Sequence, residues 1–331
     1  MNMKNNMNMK NMKKGIAIIC LFLFATTMFI RCDDGGEVEP DDKGSVNFEM
    51  TDAPIDDANV QGAFVTVASI KVDGENYGGF SGKQTIDLLA YQNGDTKALG
   101  LGELEAGTYT NISLVLDYES DANGNAPGCY VLTTDNAKHD LSSSGNGTKE
   151  IFVDGAVTVT KDVTSTLVLD FDVRKSIQYD SQGDFKFVSD SEMSSAVRME
   201  DKPSAARIEG EISGNTSSSN QLIVYAYKKG TFDRDMETSG QGQSNIEFKN
   251  AVTSAMVDVN GNYTLAFLDS ADEYEMHCVS HEDTDGDGKM EAKATANLEA
   301  STLISLDLFG LSLESSSTLT LNLVITGFID I

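Results

Sequence analysis

The sequence predicts an all-β protein, two β-sandwiches of transthyretin or immunoglobulin type in series. Three observations carry that expectation. Apolar residues alternate with polar ones over short runs, as they do along half-buried strands. Clusters such as "VDGENYGG", "SDANGNAPG", "SSSGNG" and "VNGNY" separate those runs and read as turns. No sustained 3.6-residue period competes with them; short helical pieces fit only near "DLLAYQNGDTKALG" and "SEMSSAVRM".

In chain order, residues 1–31 read as a signal peptide: the basic "MNMKNNMNMKNMKKG", then the fifteen-residue apolar run "IAIICLFLFATTMFI". That run falls short of the ~20 residues a membrane-spanning helix needs. Cys32 stands where apolar sequence gives way to acid, the position at which a lipoprotein cysteine is acylated; Cys20, inside the run, is followed by more hydrophobic sequence. Arg31 is a departure, because a small residue normally precedes such a cysteine. Residues 32–43, with "DDGGEVEPDDK", form an acidic leash. The first sandwich is expected over 44–199 and the second over 205–331, with "MEDKPSAA" between them. "SVNFEM" puts Val46, Phe48 and Met50 on one face. "STLVLDFDV" sets Leu167, Leu169, Phe171 and Val173 against Asp170 and Asp172, and "TLTLNLVI" aligns Leu319, Leu321, Leu323 and Ile325.

Charge narrows the partners. The chain holds 52 acidic and 24 basic residues, a formal charge of −28. Five of the basic residues (Lys4, Lys10, Lys13, Lys14 and Arg31) and no acid precede Cys32, so cleavage there would leave −33. Such a surface repels nucleic-acid phosphates and anionic lipid, and no nucleic-acid partner is expected.

The first sandwich resembles a family of bacterial lipoprotein domains, domain of unknown function 4382. The residues that carry the likeness are "TDAP" (Thr51 to Pro54), "FVTVASIKVDG", "IDLL" (Ile86 to Leu89), "LEAGTYTNISLVLD" and "LVLDFDVRKSI". The resemblance implies a transthyretin-like β-sandwich and no assigned activity. "FKFVSDSEMSSAVRM" departs from the pattern in lacking a proline near the domain's end. The second sandwich is similar, more loosely, to carboxypeptidase-regulatory-like and collagen-adhesin B-type repeats through "EISG", "LIVYAYKKG" and "VDVNGNYTLAFL". Some of those repeats carry a Lys–Asn crosslink. Here the strand Arg207 to Ser213 has no lysine to meet Asn322, so none is expected.

"DTDGDGKME" is the strongest chemical motif. Calcium takes six to eight oxygens, and Asp283, Asp285 and Asp287 fall at positions 1, 3 and 5 of a calcium loop. Gly288 supplies the sharp turn, the Lys289 carbonyl takes position 7 and Glu291 position 9. Position 12, however, is Ala294 in place of a bidentate Glu, and "YEMHCVS" upstream reads as strand rather than helix. The expectation is a Ca2+-stapled β-connection, against the plainer reading of a solvated acidic turn. His277 and His281 near Cys278 invite zinc, but His277 and Cys278 point to opposite strand faces, and surface histidines account for all three including His139. Asp170 and Asp172 share a strand face, as a glycosidase pair could, though alternating acids on an exposed face are the ordinary outcome. Cys129 and Cys278 are expected as buried thiols rather than a bridge. No serine elbow or phosphate loop is found, and the protein is expected not to be an enzyme.

The expectation is therefore a lipid-anchored protein of the cell outer membrane, exposed at the surface, with a binding or structural role. The membrane would be met through the anchor alone, and the ligand would be a protein or a carbohydrate. Alternatives are an accessory or catalytic component of glycan processing, and a pilus-like subunit joined by strand addition. The last is disfavoured by the absence of a spare donor segment after Ile331.

Overall fold

Strand Lys43–Thr51 buries Val46, Phe48 and Met50 completely, so the first alternating run of the sequence is also a core strand of the structure. The computed structural model describes residues 42–54, 57, 59–141, 147–179, 184–214, 221–301 and 307–331. These belong to one compact unit, Asp41–Ile331. Cys32 and the leader lie outside the described residues. The protein is all-β; the longest helix among the described residues is Asp190–Ala196, and Leu88–Ala90 forms a short 3-10 turn. No helix among the described residues is long and apolar enough to cross a membrane.

Lys43–Thr51 pairs in parallel with Thr164–Phe171 and antiparallel with Lys97–Glu105, and Val197–Asp201 closes the other edge of this four-stranded sheet. The facing sheet runs Thr148–Val153, Ile112–Asp117, Val60–Val72, Tyr130–Thr133, Lys138–Asp140. Val60–Val72 is its spine, thirteen residues long, and also pairs with Glu75–Asn76 and Gln84–Asp87. The apolar faces of the two sheets meet in one core that includes Phe48, Val65, Ile70, Leu114, Leu167 and Phe171. Phe48 meets Tyr77 edge-on at 5.0 Å, a favourable geometry for aromatic rings.

The second half forms a curled sheet in the order Thr253–Met256, Gln221–Lys228, Glu273–Glu282, Glu291–Ala300, Leu323–Asp330, Ala206–Gly214, Asn262–Leu268. Its core holds Ile208, Val224, Leu265, Cys278, Leu321 and Ile325. "TLTLNLVI" is two strands, Thr318–Thr320 and Leu323–Asp330, rather than one. The break has its own partners. Leu321 N–H donates to the Glu209 carbonyl (2.7 Å), Tyr263 Oη–H donates to the Leu321 carbonyl (2.6 Å), and Asn322 Oδ1 accepts from Glu211 N–H (3.0 Å).

Gln221–Lys228 is apolar on both faces because both are covered. Leu222, Val224 and Ala226 face the second core, while Ile223, Tyr225 and Tyr227 pack with Phe248, Ala251 and Val279. The covering segment also reaches the first half of the molecule, where Ile246 joins the first core. Glu192 fastens it. Its carboxylate caps the Asp190–Ala196 helix through Ser189 and accepts Gln243 N–H (2.8 Å) and Ser244 Oγ–H (2.7 Å). Burial alone would raise the Glu192 pKa, but the hydrogen bonds from Ser189 and Ser244 outweigh it and hold the group down at about 2.

Candidate functional site

The acidic loop follows directly from strand Glu273–Glu282, confirming that "YEMHCVS" is strand. Short Asx bonds wind it tightly. Asp283 accepts the N–H groups of Gly286 (2.7 Å) and Gly288 (3.1 Å), Asp285 accepts Asp287 N–H (3.2 Å), and Asp287 accepts Lys289 N–H (2.8 Å). The winding brings carboxylate oxygens of Asp283, Asp285 and Asp287 within 4.8 Å of one another, all three residues exposed. Among the described residues this is the one group of three or more His, Cys, Asp or Glu side chains close enough to share an ion. At this spacing each pair of carboxylates repels by about 1 kcal/mol even in bulk water.

Glu291 does not join them. Its Oε2 accepts both the N–H (2.9 Å) and the Oγ–H (2.7 Å) of Thr284, which turns the carboxylate toward the start of the loop. The sequence expectation placed it at position 9; the structure gives it the role of closing the loop's two ends. Lys289 lies at the rim of the loop, where its backbone bridges to Asp57 of the first half.

Gly288 is fixed twice over. Its φ of +95° favours glycine, and a Cβ there would lie 1.6 Å from Asn59 Nδ2. Asn59 approaches so closely because its amide donates to the Asp287 carbonyl (2.7 Å). The acidic loop is thus docked on the first half of the molecule, which its sequence neighbours give no hint of.

The other candidates resolve differently. Asp170 and Asp172 are not on an exposed face; each is only 4% exposed. Asp170 Oδ2 pairs with Arg198 (2.7 Å), and Asp172 Oδ2 with Arg174 (3.0 Å) and Lys175 (3.4 Å). Burial raises the Asp170 pKa despite Arg198; at Asp172 burial also pushes upward, but Arg174 and Lys175 outweigh it. These basic groups then cross to the second half. Arg174 donates to the carbonyls of Glu247 and Phe248 (both 2.8 Å), Lys175 to that of Ala251 (2.5 Å), and Arg198 to that of Phe267 (2.7 Å). Asp170 and Asp172 therefore orient the cations that connect the two halves.

Nor are the histidines isolated on the surface. His281 is fully buried near Tyr225, His277 stacks on Phe232 at 3.6 Å, and His139 meets the edge of Phe185 at 5.3 Å. Burial drops the His277 pKa to about 4, against the pull of Glu275. Cys129 and Cys278 are buried free thiols, their pKa values pushed by burial to about 12.

A cleft of about 430 Å³ opens where the hairpin Ile177–Tyr179 with Phe185–Phe187, the covering segment and Lys289 converge. A second hollow of about 320 Å³, also lined by Tyr179 and Phe185, runs on past Asn59 to Thr133 and His139. The sequence offered no sign of the larger cleft, because its walls run from Asp57 to Lys289.

Residues 43–189, less than half of the chain, match the family model described as Domain of unknown function (DUF4382). No curated protein matches the chain. Matching solved structures include the Bacillus anthracis TIE protein, 11% identical, covering 86% of this chain and 34% of that one at a TM-score of 0.17. This chain thus spans about a third of that protein's length. They also include the shaft pilin SpaA of Lactobacillus rhamnosus GG, 12% identical, covering 87% and 100% at 0.19. A third is GBS52, the minor pilin of Streptococcus agalactiae, 11% identical, covering 86% and 98% at 0.18. Scores this low do not establish a common topology.

Proposed function

We propose that this chain is a lipid-anchored protein of the outer membrane, displayed at the cell surface in a binding or structural role, with a Ca2+ ion stapling the loop that follows strand Glu273–Glu282. The observation that carries the anchoring is Cys32, set at the switch from apolar to acidic sequence. Ten residues separate it from the first strand, a span of at most about 35 Å, so acylation would hold the folded body close to the bilayer.

The calcium part rests on the gathering of Asp283, Asp285 and Asp287. Ligands beyond these three would be the Lys289 carbonyl and water, since Glu291 is engaged by Thr284. A staple there would fix the loop where it leans on Asn59 and so would join the two halves.

Growth with a labelled fatty acid tests the anchor. The wild-type protein is expected to carry the label in the membrane fraction, and Cys32→Ala to lose it and appear in the soluble fraction. Label retained on Cys32→Ala would remove the anchoring site.

A further inference from the structure

We propose that the cleft between the two halves binds a neutral, hydroxyl-rich ligand, an uncharged oligosaccharide, with Tyr179 as its aromatic face and Lys289 among its polar contacts. The inference deepens the binding role above by naming a site and a ligand class, and rests on that role alone, not on the anchor or on calcium.

Shape comes first. The two hollows, about 430 and 320 Å³, both lie within the range of small-ligand sites and share Tyr179, Phe185 and Asp57. A ligand with several units running past Tyr179 would fill both. Tyr179 is half-buried, and its ring is backed by the buried Phe185, tilted at 4.9 Å and met in turn by His139. The Tyr179 ring is therefore held by packing rather than by ligand, and an aromatic face so placed suits the C–H face of a pyranose ring.

The lining then selects chemistry. Gln178, Gln243 and Asn245 each bring an amide that both donates and accepts, while Lys186 with Lys289 and Asp57 with Glu247 bring charged donors and acceptors of both signs. Sugar hydroxyls likewise donate and accept, so this mixture matches them. An apolar ligand finds little, because the apolar liners Ile177, Phe185 and Ile246 are no more than 9% exposed and belong to the first core. A polyanion meets the field of a chain at −28. A peptide with large apolar side chains lacks seats for them.

Lys289 is the sharpest probe. It forms no ion pair among the described residues, so its removal should leave the fold alone while taking a donor from the cleft wall.

Isothermal titration of the purified full chain with cellohexaose, xylohexaose, mannohexaose and laminarihexaose tests the proposal, with hexagalacturonate and hexa-aspartate as charged comparators. At least one neutral hexasaccharide is expected to bind, and Tyr179→Ala and Lys289→Gln each to weaken that binding by about tenfold while keeping a cooperative melt. Should Tyr179→Ala fail to fold, Lys289→Gln carries the comparison. Binding by none of the neutral sugars, binding undiminished in Lys289→Gln, or binding confined to a charged comparator would overturn the assignment. Because the titration is done in solution, its failure would leave the fatty-acid result at Cys32 untouched.

Discussion

Two loops of the second half place residues on the same alternate spacing and end with different balances of charge and donors. In the turn 258–262, the Asp258 carboxylate receives the N–H groups of Asn260 and Asn262 (both 2.8 Å) and the Asn262 side-chain amide (2.9 Å). In the loop 283–287, the third and fifth positions are Asp285 and Asp287, which bring acceptors where the other turn has amides. The first half repeats the satisfied version, with Asp121 held by the N–H groups of Asn123 and Asn125 (both 2.8 Å). In all three the leading Asp accepts two backbone N–H groups, at the second and fourth following residues in the Asn turns and at the third and fifth in the acidic loop, and side-chain amides are found only in the former. A turn with Asn at these places closes itself, whereas one with Asp gathers negative charge that a cation would offset.

Calcium should separate the two loops most. Ion at a hundredfold excess over its dissociation constant would add about 2.7 kcal/mol, raising the melting temperature by about 5 °C over the chelated protein. Asp285→Asn should abolish most of that rise and, by relieving like-charge repulsion, stabilise the calcium-free protein by about 1 kcal/mol. Identical melting curves with calcium and with chelator would place the acidic loop beside the self-closed turns.

A backbone comparison comes next. Gly288→Ala forces a side chain onto φ +95° and into Asn59, and is expected to cost about 2 kcal/mol in urea denaturation and to weaken any calcium response. Gly261→Ala meets a similar φ of +90° and the Ile212 carbonyl at 2.6 Å, so it should cost a like amount and leave calcium behaviour unchanged. Equal calcium responses in the two variants would detach the Asn59 contact from the metal.

The smallest effect is expected at Asp258 itself. Hydrogen bonds from Asn262 and Asn260 hold its pKa below 3.8, so the turn's contribution is present above that value and lost as acid protonates the group. Asp258→Ala should therefore lower the urea midpoint at pH 7, and lower it by less at pH 3. The same loss at both values would mean that the carboxylate is not what closes the turn.

Much of the fold was legible because alternation reports one-sided burial. Val46, Phe48 and Met50 obey it, as do Leu167 and Leu169. It failed where a strand is covered on both sides. Asp170 and Asp172 looked solvent-facing by alternation, but their partners are Arg198, 28 residues onward, and cations on the turn that follows. The acidic loop was legible down to its three converging aspartates, since local spacing sets Asx winding. Spacing did not show that Thr284 binds the Glu291 carboxylate within the same nine residues. Neither the aromatic cleft nor the docking of Asn59 had a local signal, each being made by chain segments far apart in sequence.

Ile246 gives the molecule a further property. One side chain of the later half sits in the earlier half's core, with Glu192, Arg174 and Lys175 gripping the backbone on either side of it. Tension between an anchored end and a captured ligand would therefore meet a plug and socket rather than a free swivel, and the halves should share a single rupture event when the protein is pulled.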